Sequence, residues 1–380
     1  MRVQIPESIR SLIPYVPGKP IEETQRELRL KKVVKLASNE NPLGCGRLAR
    51  KAILLAQKEI HRYPDASAFH LKTAIRRLHG LEKNDRFGVT VGNGSNELIE
   101  LLIRTLCVPG DSIVTSKSAF IAYKISAQAH GGSTLEAAIG SDLIFDLEEM
   151  LRLVRSNERV QLVFLPNPNN PTGTYVSKEP LTKFIAEIAR VREGAVRVVL
   201  DDAYAEYVTA KDAPKADALL HAFPETVVML RTFSKVHGLA GLRVGYAIGS
   251  SELLGFVERV RMPFNVGSIA LAAATASLRD AAHIKRSLAL NREAMKFWCD
   301  ALKDLKIPYW KSQANFVLAN VQRGWGMTGP EVFQECLRKG VIFRPIANYG
   351  YPEALRITLG TAMENRFALK ALQAVRASHG

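Results

Sequence analysis

The sequence is poor in cysteine and has no long apolar run. Its 380 residues include four cysteines, which lie far apart and form no CxxC pair. Scattered thiols are typical of a reducing compartment, where disulfides are rare. Nowhere do about 18 apolar residues run together, so no membrane span is expected. The first twenty residues contain several prolines and no long apolar core, so no signal peptide is expected either. These absences predict a cytoplasmic protein.

Metal-binding and nucleic-acid-binding motifs are missing as well. The eight histidines show no ligand-like spacing with cysteines or acids, so no metal is expected. The net charge of +15 could attract nucleic-acid phosphates, but lysine and arginine are spread over the whole chain without a basic tail. A generally basic surface that draws in small anions is the favoured interpretation. We therefore expect small-molecule substrates and no nucleic acid as partners.

The middle of the chain has the pattern of an α/β protein. From about residue 85 to residue 250, short apolar runs alternate with longer amphipathic ones, which predicts βαβ units and a largely parallel sheet. The predicted strands are 87–91, 112–115, 160–165, 196–200, 226–230 and 244–248. A helix is predicted over 95–107, where leucines share one face.

A different pattern begins after residue 265. A long helical region, about 268–305, precedes two short predicted strands at 316–319 and 355–359 and a final helix. We therefore predict a large domain over 41–265. A smaller α+β domain is expected to combine 1–40 with 266–380.

Unusual polar residues follow several predicted strands, where ligands bind in open α/β sheets. After the first, Gly92–Asn96 leads straight into a helix, whose free N–H groups can bind an anion. A plain tight turn explains the segment equally well. It does not match GxGxxG, because Glu97 replaces the third glycine. After the third predicted strand, Pro168 and Pro171 fix the backbone on either side of Asn170, which can hold its amide still.

Two further strands end in an acidic pair and in a lysine. The strand over 196–200 runs into Asp201-Asp202, with Tyr204 close behind. A carboxylate near a core needs a cationic or hydrogen-bonding partner, although a solvated helix cap is an equally good interpretation of this segment alone. Lys235 follows the next strand, and a partly desolvated lysine amine can form a Schiff base. Arg243 is a suitable phosphate ligand.

These segments, in this order, resemble the fold-type I pyridoxal-phosphate (PLP) aminotransferases. More narrowly, the chain is similar to the histidinol-phosphate aminotransferase family, on the segments PYVPGKPIEE (14–23), KLASNENPLG (35–44), YPDASAFHLKTAI (63–75), RTFSKVHGLAGLRVGY (231–246) and LRITLGT (355–361). The resemblance implies a seven-stranded, mostly parallel sheet in the large domain, PLP as cofactor and a homodimer.

The resemblance also implies a role for individual residues. Lys235 would hold the cofactor covalently and move the substrate proton, Asp201 would pair with the ring nitrogen, and Tyr204 would bond the phenolic oxygen. The other implied cofactor-binding residues are Gly94, Ser95, Asn96, Phe120, Asn170, Ser234, Arg243 and, from a second subunit, Tyr63. The implied substrate-binding residues are Tyr15, Asn170, Arg344 and Arg356.

Three positions depart from the commonest pattern of that family. Asn96 stands where an acid is frequent, Phe120 where tyrosine is frequent, and Asp202 where glutamate is frequent. The first two bear on cofactor affinity and substrate range. Aromatic amino-acid aminotransferases and a threonine-phosphate decarboxylase share much of the pattern, so both stay open as alternatives. A DNA-binding regulator of the same fold would need an added helix-turn-helix domain, for which the sequence leaves no room.

Overall fold

The computed structural model describes residues 3–15 and 17–379. The strands are β1 (Val34–Lys35), β2 (Phe87–Gly92), β3 (Ser112–Ser116), β4 (Ser133–Ala137), β5 (Val160–Pro166), β6 (Arg197–Asp201), β7 (Val227–Thr232), β8 (Gly245–Ser250), β9 (Tyr309–Trp310), β10 (Phe316–Asn320), β11 (Val341–Ile342), β12 (Arg344–Ile346) and β13 (Tyr351–Thr358). The helices are α1 (Glu7–Arg10), α2 (Ile21–Leu28), α3 (Arg47–Ala56), α4 (Phe69–Leu78), α5 (Gly94–Leu106), α6 (Ala122–Ala129), α7 (Leu147–Arg155), α8 (Lys178–Arg190), α9 (Ala216–Ala222), α10 (Ser251–Val260), α11 (Ser268–Ser277), α12 (Ala281–Asp304), α13 (Val321–Trp325), α14 (Gly329–Arg338) and α15 (Ala362–His379).

A large mixed sheet forms the centre of the molecule. Within the described residues its strand order is β2-β8-β7-β6-β5-β3-β4. All neighbouring pairs are parallel except the two that involve β8, which is antiparallel to both β2 and β7. Its inner strands β5, β6, β7 and β8 are almost entirely buried, as expected for a sheet with helices on both faces. The predicted α/β fold with a mostly parallel seven-stranded sheet is confirmed.

The antiparallel direction of β8 follows from the short connection that precedes it. Only residues 233–244 separate β7 from β8, and they contain no α-helix. A parallel neighbour would need a crossover that spans the length of the sheet, usually with an α-helix, and this connection has only one short 3₁₀ turn. The chain therefore turns back along β7, with Thr232 paired to Gly245. Lys235 lies on this connection, at the same sheet edge as the end of β6.

A second, smaller sheet is built from the C-terminal part of the chain. Its order is β12-β13-β10-β9, and its strand pairs are antiparallel. The N-terminal strand β1 pairs with β11 in a separate two-stranded sheet, and so joins the N-terminal segment to this part of the molecule. The buried apolar residues form a large cluster around the seven-stranded sheet and a smaller one around β10, β13, α12 and α15.

Most predicted elements are present, although the short strands β1, β9, β11 and β12 were not predicted and the large sheet and the long helical region each differ in one respect. The six predicted strands of the large sheet match β2, β3, β5, β6, β7 and β8 within about two residues. The edge strand β4 was not predicted. The single helical region predicted over 268–305 is two helices, because Asp280 caps α12 by accepting the N–H of His283. Among the described residues, no helix is long and apolar enough to cross a membrane.

Candidate active site

The ends of the large-sheet strands, the N-terminal segment and the small sheet enclose a cavity of about 400 Å³. Most of the side chains predicted from the sequence line it. They are Tyr15, Ser95, Asn96, Phe120, Asn170, Asp201, Tyr204, Ser234, Lys235, Arg243, Arg344 and Arg356. These residues lie between position 15 and position 356 of the chain, so the fold, and not local sequence, brings them together.

Two of the predicted residues do not line this cavity. Gly94 is not among the lining residues; its positive φ of 75° favours glycine, and a Cβ there would require the Arg243 guanidinium to move. Tyr63 lies on the outer surface, 84% exposed, and its ring stacks on Phe264 with centroids 4.8 Å apart. Tyr63 therefore contributes nothing to the cavity of its own subunit.

Lys235 enters the cavity from the connection between β7 and β8. Its Nζ lies 3.4 Å from the carbonyl oxygen of Ser38 and 5.6 Å from the centre of the Tyr204 ring. Desolvation, and after it the positive charge of Arg356, lower the pKa of Lys235 to about 8. A substantial fraction of this amine is therefore neutral near pH 8, which a nucleophilic lysine requires.

The connection that carries Lys235 is held closely at several points. The amide of Phe233 donates to Val244, and the amide of Gly238 donates to the carbonyl oxygen of Lys235 at 3.0 Å. Gly238 has a φ of 67°, and a Cβ there would overlap the backbone of Gly44. The backbone at Lys235 is thus held by hydrogen bonds within the β7–β8 connection and by the close approach of that connection to Gly44 in the N-terminal segment.

The two acids at the end of β6 have different surroundings. Asp201 is buried; its Oδ2 accepts a 2.7 Å hydrogen bond from the Tyr123 hydroxyl, while its Oδ1 has no partner among the described residues. Burial raises the pKa of Asp201, and the Tyr123 hydrogen bond opposes that rise. Asp202 points elsewhere, into a 2.6 Å ion pair with Arg231. Neither acid is a solvated helix cap, so that alternative is wrong.

The asparagine-proline loop holds Asn170 against the cavity. Asn167 exchanges two hydrogen bonds with the backbone of Val176, and Asn169 donates to the carbonyl oxygen of Ser118 at 3.0 Å. These two asparagines fasten the loop. Asn170 is left to face the cavity, where its Oδ1 accepts a hydrogen bond from Arg356.

An anion cradle lies at the start of α5. The helix begins at Gly94, and no side chain caps its N-terminus, so its first N–H groups are available. Ser95 and Asn96 line the cavity here, and Arg243 approaches Ser234 with 3.4 Å between Nη1 and Oγ. A helix N-terminus together with an arginine is a favourable site for a phosphate.

Two buried arginines form the opposite wall. Arg344 and Arg356 are direct partners in the register of β12 and β13, so their side chains share one face of the small sheet. The Arg344 guanidinium lies 5.7 Å from the centre of the Tyr15 ring. Arg356 Nη2 donates to the carbonyl oxygen of Ala37 at 2.6 Å, and burial lowers the pKa of Arg356. Two neighbouring cations in a desolvated wall are suited to an anionic ligand.

Sequence reasoning missed several residues of the site. Asn39 lies in a segment that resembles the family, but the sequence assigned it no role. It is buried, has a φ of 56° and donates to the Tyr204 hydroxyl at 2.9 Å. Tyr123, the partner of Asp201, lies in the first turn of α6, and its ring meets that of Phe120, just before the helix, edge-on with centroids 5.8 Å apart. Glu40 and Tyr349 also line the cavity.

The polar groups of the cavity fit pyridoxal phosphate. Asp201 offers a buried carboxylate oxygen without a partner, as a protonated ring nitrogen requires. Lys235 offers a desolvated amine, and the start of α5 with Arg243 offers a phosphate cradle. The three groups surround one space of suitable size for a single small cofactor.

Comparison with known proteins gives a consistent result. The family model described as aminotransferase class I and II matches residues 31–372. A histidinol-phosphate aminotransferase from Anaeromyxobacter sp. (strain Fw109-5) is 46% identical over 97% of this chain and 98% of its own length. One from Moorella thermoacetica is 41% identical over 98% of this chain and 92% of its own length.

Solved structures show the same architecture. The histidinol-phosphate aminotransferase from Sinorhizobium meliloti, in complex with pyridoxal-5'-phosphate, superposes with a TM-score of 0.88 at 25% identity. The alignment covers 100% of this chain and 99% of that one. A Thermus thermophilus aspartate aminotransferase variant has a TM-score of 0.82 at 21% identity, covers 99% of this chain and 100% of its own, and shares the fold.

The low pKa of Lys235 predicts how the apoprotein captures pyridoxal phosphate as pH changes. Only the neutral amine attacks an aldehyde, so the capture rate should rise through about pH 8 and level off above it. Arg356→Gln removes a charge that disfavours the ammonium form, so the midpoint should move to higher pH. Stopped-flow absorbance measures the rate.

Arg344→Gln is the matched control, because the charges that act most strongly on Lys235 include Arg356 but not Arg344. Its midpoint should stay close to that of the unmodified protein. A midpoint that does not move in Arg356→Gln, or that moves equally in both variants, would contradict the electrostatic role of Arg356.

Proposed function

Because the chain belongs to the aminotransferases of classes I and II, we propose that it exchanges an amino group between histidinol phosphate and 2-oxoglutarate in histidine biosynthesis. It is a pyridoxal-phosphate-dependent transferase. The observation that carries the substrate proposal is the in-register pair Arg344 and Arg356, which can bind a carboxylate or a phosphate at one place. The names of relatives 46% and 41% identical to this chain support the same substrates.

The cavity suggests how the chain's own residues hold the cofactor. Pyridoxal phosphate supplies an electron sink for the substrate α-carbon. We propose that Asp201 Oδ1 accepts from its ring nitrogen, and that Asn170 and Tyr204 contact its phenolic oxygen. Phe120 is proposed to cover the ring face. The proposed phosphate ligands are Gly94, Ser95, Asn96, Ser234 and Arg243.

Lys235 is the proposed proton carrier. Its Nζ lies inside the cavity between the Ser38 carbonyl oxygen and the Tyr204 ring, so it can reach a substrate bound there. The lowered pKa lets Nζ accept a proton from the substrate α-carbon and return it on the other side of the reaction. The buried walls restrict water, which would otherwise compete for that proton.

Both substrates must use the same anion-binding wall in turn. Glutamate and 2-oxoglutarate present carboxylates, whereas histidinol phosphate and its keto partner present a phosphate. We propose that Arg344, Arg356 and Tyr15 bind these groups, with Asn170 orienting Arg356 through its Oδ1. A planar guanidinium can form two parallel hydrogen bonds to either anion.

A substrate panel on purified protein tests the reaction. We expect amino transfer from histidinol phosphate to 2-oxoglutarate to be faster than transfer from phenylalanine, because only the former carries a phosphate for the arginine pair. Loss and recovery of the cofactor's colour measures each half of the reaction. Preference for phenylalanine would make this an aromatic aminotransferase. Carbon dioxide released from phosphothreonine would make it a decarboxylase instead.

Arg356→Gln should weaken substrate use far more than cofactor binding. Loss of a charged hydrogen bond of roughly 1.5–3 kcal/mol should raise KM for histidinol phosphate roughly 10- to 100-fold. The dissociation constant of pyridoxal phosphate should change little, because the proposed phosphate cradle lies at the start of α5. Steady-state kinetics and equilibrium dialysis measure the two quantities. Unchanged constants for both substrates would exclude this role for Arg356.

We also propose that the protein is a homodimer in which Tyr63 reaches the cofactor phosphate of the neighbouring subunit. Exposed large apolar side chains are frequent in the segment over 54–69 and in the loop after α10. They are Leu54, Leu55, Ile60, Phe69, Met262 and Phe264. The Tyr63–Phe264 stack joins the two segments, and exposed apolar surface favours a subunit interface.

Mixed subunits test whether Tyr63 acts across an interface. Tyr63→Phe should weaken pyridoxal phosphate binding roughly 10-fold or more, because it removes one hydrogen bond to a charged group. Lys235→Ala should give no cofactor linkage that borohydride can fix. A hybrid of the two variants has one site with both Lys235 and Tyr63, and should regain tight covalent binding in about half of its sites.

Hybrids are made by unfolding and refolding the two variants together, and bound cofactor is counted after borohydride reduction. If Tyr63 acted within its own chain, no hybrid would contain a complete site. The mixture would then bind no more tightly than the variants kept apart. A monomer in sedimentation equilibrium would also exclude the proposal.

We propose a two-domain organisation close to that expected from the sequence. The large unit would begin near residue 41, and the small unit would combine 1–40 with the C-terminal part. Separate apolar clusters support this division. Because α11 (Ser268–Ser277) packs on α3 and contributes to the larger cluster, the proposed boundary lies near residue 280 and not at 265. The cytoplasmic location stays a prediction.

A further inference from the structure

Asn39 lies where the two sheets meet. Its backbone N–H donates to Thr358 Oγ1 at 2.9 Å, and its carbonyl oxygen accepts from Asn315 Nδ2 at 2.9 Å. Thr358 ends β13 and Asn315 precedes β10, so both belong to the small-sheet part of the molecule. The side chain of Asn39 reaches the other way, to Tyr204 after β6 of the large sheet. Asn39 therefore connects the two parts directly.

The hydrogen bonds of Asn39 fix which end of its amide faces Tyr204. Thr358 Oγ1 accepts the backbone N–H of Asn39 and gives its own proton to Asn39 Oδ1 at 3.0 Å. The carbonyl end of the amide is thus occupied. The Nδ2 end donates to the Tyr204 hydroxyl oxygen at 2.9 Å. Asn39 is 1% exposed, so water does not compete for these contacts.

This arrangement determines where the proton of Tyr204 points. A phenol has one proton to donate and accepts through its oxygen. Since the Tyr204 oxygen accepts from Asn39, its proton is directed to a different acceptor. Tyr204 lines the cavity, and burial raises its pKa to about 12, so the proton stays on the phenol at neutral pH.

We propose that Asn39 is a positioning residue for Tyr204, because its amide makes the phenol a donor to the cofactor's phenolic oxygen rather than to the protein. This inference rests on the cofactor contact proposed above for Tyr204. The positive φ of Asn39 agrees with the assignment, since asparagine tolerates that backbone conformation better than most residues. A donor at this place stabilises negative charge on the phenolic oxygen.

The test is the pH dependence of the visible absorbance of the bound cofactor. In the proposed arrangement the phenolic oxygen would accept both from Tyr204 and from the protonated nitrogen that would join Lys235 to the cofactor. Loss of the Tyr204 donor strengthens the second contact, so the nitrogen holds its proton to higher pH. Asn39→Asp replaces the amide donor by an acceptor that takes the Tyr204 proton. We expect its absorbance midpoint to rise by about one pH unit.

Three further variants separate a positioning role from a structural one. Tyr204→Phe should raise the midpoint about as much as Asn39→Asp, and the double variant should add nothing, since both remove one donor. Asn39→Gly, which keeps the positive φ, should raise it less. Asn315→Ala is the structural control. It removes the hydrogen bond to the backbone carbonyl oxygen of Asn39 but keeps the side-chain amide that donates to Tyr204, so the midpoint should not change.

Each result counts for or against the inference. If Tyr204→Phe shifts the midpoint and Asn39→Asp does not, the positioning role of Asn39 is wrong while the cofactor contact of Tyr204 stands. If Tyr204→Phe itself has no effect, the contact proposed for Tyr204 is wrong and the inference falls with it. An equal shift in Asn315→Ala, or additive shifts in the double variant, would make Asn39 a structural residue only.

Discussion

Repulsion between Lys235 and Arg356 in a desolvated cavity is the interaction on which the site depends. Both side chains face the same space, and the charge of Arg356 adds to desolvation in lowering the pKa of Lys235. In water these cations would be screened within about 10 Å at ordinary ionic strength, but burial removes much of that screening. The fold therefore keeps an amine reactive by confining it with a fixed cation, while Asp201 supplies opposite charge nearby.

The large sheet could be predicted from the sequence because burial and strand patterning agree in it. Continuous apolar runs, such as Val227–Leu230, are typical of strands covered on both faces. The edge strand β4 lacks that signal. Its sequence, Ser-Thr-Leu-Glu-Ala, is mostly polar and only its last residue is fully buried. Its pairing with β3 comes from tertiary contact, which no local pattern encodes.

The site was predictable where a residue carries its chemistry in an unusual local setting. Lys235 in a small-residue loop and Asp201 after an apolar strand are of this kind. The local pattern does not distinguish Asp201 from Asp202, and only the resemblance assigned Asp201 to the cofactor; in the structure Arg231 on the neighbouring strand pairs with Asp202, while Asp201 lines the cavity. Asn39 and Tyr123 were missed because each acts through another side chain, and the hydrogen bond that identifies it joins distant segments.

Under the proposed roles, the reacting groups and the substrate-anion ligands belong to different sheets. Lys235 and Asp201 extend from the large sheet, whereas Arg344 and Arg356 are neighbours on the small one. Mutations in β12 or β13 can therefore alter which anion is accepted while the lysine and the acid keep their geometry. Such a division makes new substrate ranges accessible to natural or laboratory evolution in small steps. That independence should be incomplete at Arg356, whose charge lowers the pKa of Lys235, and at Asn39, which joins both parts.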